Sequence, residues 1–124
     1  MADVAVADSP FALPDHPTEP ELVAKYFRAL GDPTRVRILE LLGAQGEMSV
    51  NELVDRLGLS QPKVSNHLGC LRWCGFVETR RDHPTVYYRA ADTRVTQLLS
   101  LGRALLADNA EHVAACRRIS SAED

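Results

Sequence analysis

Ser60-Gln-Pro-Lys-Val-Ser-Asn-His-Leu-Gly-Cys-Leu-Arg-Trp-Cys-Gly75 is the stretch whose reading decides the fold. Ser60 can cap a helix, Val64, Leu68 and Leu71 recur at helical spacing, and Gly75 stops the run. Immediately upstream, Ser49-Val-Asn-Glu52 has the form of a capping box, Leu53, Val54 and Leu57 make one apolar side, and Gly58 is a C-terminal stop. Two helices therefore meet across a tight Gly58-Leu59-Ser60 turn, which is a helix-turn-helix.

Working outward, Thr18-Glu-Pro-Glu21 opens a helix with Leu22, Tyr26, Phe27 and Leu30 as its stripe and Gly31 as its end. Asp32 caps the next, in which Val36, Leu39 and Leu42 point inward until Gly43 to Gly46 breaks it. After Gly75 the period shifts toward strands, Phe76 to Arg81 and Val86 to Arg89, with a tip at Asp82-His-Pro-Thr85. This hairpin is a wing. Asp92-Thr93 caps a final helix whose Val95, Leu98, Leu99, Leu101, Leu105, Leu106 and Val113 exceed what one small core needs. The excess is read as a dimer interface, with an ordinary core helix as the alternative. The expected fold is mostly α with a small β-hairpin, a winged helix-turn-helix dimerising through its terminal helices. Residues 1–17 read as a mobile arm, 18–117 as the domain, and 118–124 as a tail.

A chain of 124 residues with 45% apolar content can bury one modest core and has no room for a second, catalytic domain. No apolar run is long enough to cross a membrane and no secretory signal opens the sequence, so a cytoplasmic protein without a membrane partner is expected. There, three cysteines point to metal or redox chemistry rather than a disulfide framework. The formal net charge is −3, yet residues 25–103 hold twelve Lys/Arg against eight Asp/Glu, a net of +4 suited to neutralising phosphates. No organic cofactor motif appears, and no nucleophile, base and oxyanion set marks an enzyme.

With Val64, Leu68 and Leu71 turned inward, Gln61, Ser65, Gly69 and Arg72 cluster on another face of their helix. Gln61 and Ser65 lie in the early turns, where recognition helices meet base edges of double-stranded DNA. Lys63 and Arg72 suit phosphates, and Asn66 suits either a base edge or a local bond. Arg80 and Arg81, beside His83 on the wing, suit the backbone or the minor groove, or simply solvent.

Cys70 and Cys74 are four residues apart, so their side chains share one helical face. That face lies roughly a quarter-turn from the centre of the apolar stripe, on the side away from Gln61 and Arg72. Paired thiolates attract soft ions, which usually take further ligands. His67, three residues before Cys70, is one candidate. Cys116, with His112 one turn before it, is the other.

Leu30-Gly-Asp-Pro-Thr-Arg35 before Ile38-Leu39, Val64-Ser-Asn-His-Leu68 and the closing Val86-Tyr-Tyr-Arg89 resemble the ArsR/SmtB family of metal-sensing repressors across roughly Val23 to Val113. The resemblance implies a homodimer that binds an inverted-repeat operator as apoprotein and lets go when its inducer binds. The arsenic-type site of the family expects cysteines where Met48-Ser-Val-Asn-Glu52 stands, and its zinc-type site expects histidines where Arg94 and Leu105 stand, although Asp92 is kept. Ser65 to Gly75 instead is similar to the family's cadmium/lead sensors, which pair two recognition-helix cysteines with one from the C-terminal region. On that likeness Cys70, Cys74 and Cys116 are the ligands, the third from the other subunit, with His67 and His112 as additional candidates. Cd²⁺ or Pb²⁺ is the favoured inducer and Hg²⁺ a further one. A thiol redox switch, an As(III)-responsive repressor and a protein-interaction module without DNA are the alternatives.

Overall fold

Five polar side chains start five helices, and each does so by accepting backbone N–H groups that the first helical turn leaves without partners. The computed structural model describes residues 16–116. Thr18 and Glu21 close a capping box on α1 (Glu19–Leu30), and Ser49 and Glu52 close another on α3 (Val50–Leu57). Asp32 Oδ1 accepts from Thr34 and Arg35 to start α2 (Pro33–Gln45). Ser60 starts α4 (Gln61–Trp73), and Asp92 starts α5 (Thr93–Ala107). Of the expected arm over residues 1–17, all but the last two residues lie outside the described residues, as does the expected tail over 118–124.

The wing consists of β2 (Val77–Asp82) and β3 (Thr85–Ala90), antiparallel from Val77 opposite Ala90 to Asp82 opposite Thr85. A two-residue β1 (Met48–Ser49) adds to the other edge of β3, Met48 opposite Tyr88, giving the order β1-β3-β2. Ile38, Leu39, Leu42, Leu53, Val64, Leu68, Leu71 and Phe76 are fully buried and form one core under the helix-turn-helix. Burying α3 and α4 on this common core fixes which face of α4 is turned outward.

Four expectations change. Strand β1 was not anticipated, because its pairing rather than its two-residue sequence defines it. α2 runs through Gly43 and ends at Gly46, whose φ of +89° suits glycine. The single final helix is interrupted at Asp108-Asn109, where Asn109 Nδ2 donates back to the Leu105 carbonyl at 3.1 Å, and a short α6 (Ala110–Ala115) follows. Most of the α1 stripe is not core: Leu30 at its end is buried, but Leu22, Tyr26 and Phe27 remain exposed with Val23 beside them, as do Leu101, Leu105, Leu106 and Val113, while Val36 is half-buried beside α5. Together α1, α2 and α5 leave an apolar groove of about 480 Å³ lined by Phe27, Val36, Leu98, Leu101, Leu105 and Leu106 among others.

Gly43 is needed for a close approach rather than for a turn. A Cβ there would stand 2.6 Å from Thr96 Cγ2 on α5, and the Thr96 hydroxyl is tied to the Thr93 carbonyl at 2.9 Å. Gly43→Ala is therefore expected to destabilise the protein by about 1–3 kcal/mol despite alanine's better helix propensity. Adding Thr96→Ser, which removes the clashing methyl, should recover that loss in urea unfolding at fixed protein concentration.

Candidate DNA-reading surface and thiol site

Val64, Leu68 and Leu71 hold α4 by one side, so Gln61, Lys63, Asn66 and Arg72 stand exposed on the remainder, with Ser65 half-buried among them. Gln61 Nε2 donates to Ser65 Oγ at 3.2 Å, a bond these side chains must exchange for any contact with a base edge. Lys63 and Arg72 form no ion pair among the described residues, which leaves both charges available.

The two wing arginines differ. Arg80 donates from Nε and Nη2 to the Glu47 carboxylate, both at 2.9 Å, and its guanidinium lies 4.9 Å from the centre of the Tyr87 ring. The hydrogen bond from Arg80 holds the Glu47 carboxyl below its ordinary range, and Glu47 raises Arg80 in return. Arg80 is thereby occupied in fastening β2 to the turn before β1. Arg81, next along β2, is exposed and has no ion pair among the described residues.

Cys70 and Cys74 are both half-buried against the edge of the core. The Cys74 N–H donates to the Cys70 carbonyl at 3.0 Å, closing the last turn of α4. Burial pushes the Cys74 thiol up, the neighbouring Cys70 adds to this through its charge and a hydrogen bond, and Arg35 and Lys25 act in the opposite sense. The Tyr26 hydroxyl on α1 is raised too, first by burial and then by the neighbouring Cys74. Trp73, between the two cysteines, is 91% exposed.

Cys116 ends α6 half-buried, and His112 is exposed on the same short helix. Among the described residues no three of His, Cys, Asp and Glu come together in a way that would hold an ion. One chain thus brings together only Cys70 and Cys74 of the five candidate ligands. His67 is engaged otherwise: its Nδ1 accepts from Arg35 Nε at 3.1 Å. At the start of α5, Asp92 is held at about 2 by hydrogen bonds from Arg94, so an ion pair occupies the place where a zinc-type site would begin.

Sequence reasoning missed Arg35 and Glu47. A signal for Arg35 was available, since a cation in the first turn of a helix opposes the helix dipole and needs a local reason to be there. Glu47 carried none, because its partner lies 33 residues away.

Residues 32–79, from α2 to the first half of the wing, match the family described as "Bacterial regulatory protein, arsR family". Over 102 residues the chain is 46% identical to a probable mercury resistance operon repressor of Streptomyces lividans, covering 82% of this chain and 81% of that protein. The chain belongs to the arsR family. As an arsR-family protein it is a transcriptional regulator with a winged helix-turn-helix, not an enzyme. It is also 38% identical over 102 residues to the regulator CmtR of Mycobacterium tuberculosis, covering 82% of this chain and 86% of that one. The solution structure of a homodimeric winged helix-turn-helix DNA-binding domain, Mb0332 of Mycobacterium bovis, superposes with a TM-score of 0.67 at 33% identity, covering 90% of this chain and 95% of that chain. No helix among the described residues is long and apolar enough to cross a membrane.

Proposed function

We propose that this arsR-family protein is a homodimeric, cytoplasmic repressor that binds operator DNA and releases it when a thiophilic ion binds Cys70, Cys74 and Cys116. The observation that carries the reading is the pair of half-buried thiols side by side at the end of the reading helix, off its DNA face. The donor set suits a soft ion, since thiolates select soft metals over hard ones. One chain supplies two such donors, and the partner subunit's Cys116 supplies the third. Cys70 and Cys74 with the partner subunit's Cys116 would hold such an ion, which would supply a tie between the two subunits. The exposed apolar faces of α1, α5 and α6 are what the second copy covers, and the similar Mycobacterium bovis domain is described as homodimeric.

The chain's own residues do the rest. Gln61, Ser65 and Asn66 read base edges, and Lys63, Arg72 and Arg81 neutralise phosphates. Arg80, clamped by Glu47, sets the angle of the wing. Because α4 carries both the thiols and the reading residues, any restraint on the thiols bears on how the two α4 helices fit successive major grooves. Release requires that the free dimer bind the ion more tightly than the DNA-bound dimer does, and DNA must then weaken ion binding by the same factor.

The electrostatic part is testable by salt. Removing Lys63, Arg72 or Arg81 should each lower the slope of log K against log salt by about 0.9 for every phosphate that is no longer neutralised, hence about 1.8 for a dimer. Arg80→Ala should act differently, through the wing. Binding isotherms on an operator selected by the apoprotein from a random duplex pool, at several salt concentrations, check both.

The ligand set is tested by titrating the reduced apoprotein with Cd²⁺, Pb²⁺ and Hg²⁺ while following sulfur-to-metal charge-transfer absorption. Mercury belongs in the series because the Streptomyces relative is named for mercury resistance. Intense absorption that saturates at one ion per thiol trio supports the reading, and silence from all three ions contradicts it.

A further inference from the structure

α4 is held in the fold mainly by apolar contacts: Val64, Leu68 and Leu71 are fully buried, and such contacts have no direction of their own. Among the described residues a single side-chain hydrogen bond reaches α4 from another helix, the one from Arg35 Nε to His67 Nδ1. The second arm of the same guanidinium, Nη1, donates at 3.0 Å to the Ala29 carbonyl in the last turn of α1. A guanidinium is planar and rigid, so these two bonds fix the end of α1 against the middle of α4. α1 carries part of the exposed apolar face, and α4 carries the thiols and the reading residues.

We propose that Arg35 is the positioning residue that transmits occupancy of the thiol pair to the spacing of the reading helices, and that His67 serves it as an acceptor rather than as a metal ligand. The proposal rests on the metal-responsive repressor reading above. A neutral imidazole that accepts at Nδ1 carries its proton on Nε2, so neither nitrogen has a lone pair free for an ion. His67 stands one turn before Cys70, so a shift of the thiol-bearing turn alters the Arg35 bond directly. The placement of Arg35 in the first turn of α2, against the helix dipole, is offset by the acceptors it finds on two other helices.

The test uses the full chain, Cd²⁺ as the probe, operator binding by fluorescence anisotropy with and without the ion, and the thiolate-to-cadmium absorption band. Arg35→Gln and His67→Leu should keep the band, while the Cd²⁺-dependent loss of operator affinity shrinks about tenfold or more, each measured against that variant's own apoprotein. His67→Asn, which returns an acceptor oxygen near the position of Nδ1, should keep both the band and the full loss. Wild-type release by Arg35→Gln and His67→Leu overturns the inference. So does disappearance of the band in His67→Asn, which would make the imidazole a ligand. If circular dichroism shows Arg35→Gln unfolded, the two His67 variants decide alone. A wild-type protein that holds its operator at every Cd²⁺ concentration overturns the repressor reading itself, and the inference with it.

Discussion

Cys70→Ser and Cys74→Ser each abolish the response of operator binding to Cd²⁺, while the apoprotein still binds its operator within a few-fold of wild type. Replacing partners that only orient a ligand already costs about 10–100-fold in metal affinity, so removing a thiolate itself should cost about a hundredfold or more. Serine keeps the size and a polar atom but not the soft donor. The fold should survive, since both thiols lie at the edge of the core rather than in it. Cys116→Ser should be milder at the level of binding, because the pair on α4 remains, yet it should remove the link between subunits and with it most of the release. Metal affinity by competition with a chromophoric chelator, alongside operator anisotropy, separates the two effects. Equal and complete loss of binding in all three variants would instead mean that the trio binds only as a unit.

Leu105→Glu separates the subunits and weakens operator binding by about 10²–10⁴-fold, the advantage that joining two reading heads confers over one. Leu105 is 61% exposed in a single chain and belongs to the apolar wall of the groove between α1, α2 and α5. A carboxylate there costs little in an isolated chain, but in a dimer it would be buried without a partner. Sedimentation equilibrium should find monomers whose helical circular dichroism is unchanged. A stable dimer with wild-type operator affinity would place the interface elsewhere.

Local chemistry was the legible part of this sequence. Thr18, Asp32, Ser49, Ser60 and Asp92 each announce a helix because a cap needs only residues within one turn of itself. Whatever depends on distant partners was not legible. Met48 and Ser49 become a strand only because Tyr88 and Tyr87 lie opposite them. The apolar spacing of the C-terminal segment continues through Asp108-Asn109, and the break shows only in the fold, where the Asp108 and Asn109 N–H groups turn to the carbonyls of Leu105 and Leu106 and the Asn109 side chain bonds back to Leu105.

The site divides in the same way. The face shared by Cys70 and Cys74 follows from helical spacing, and their distance from the reading residues follows from the apolar stripe. His67 stayed an open candidate because its partner Arg35 lies 32 residues upstream. Arg80 read as a DNA contact because Glu47, which claims it, lies across the sheet. The α1 stripe was visible as apolar, but a sequence does not say whether such a face meets its own core or a second copy.

The central claim is that thiol occupancy and operator binding oppose each other. The most direct measurement follows anisotropy of a labelled operator bound by the reduced wild-type dimer while Cd²⁺, Pb²⁺ or Hg²⁺ is added at constant ionic strength. The account predicts release at one ion per thiol trio by at least one of them, reversed by a chelator, and absent in Cys70→Ser. An operator affinity unchanged by all three ions, under conditions where charge-transfer absorption shows the thiolates occupied, would contradict it.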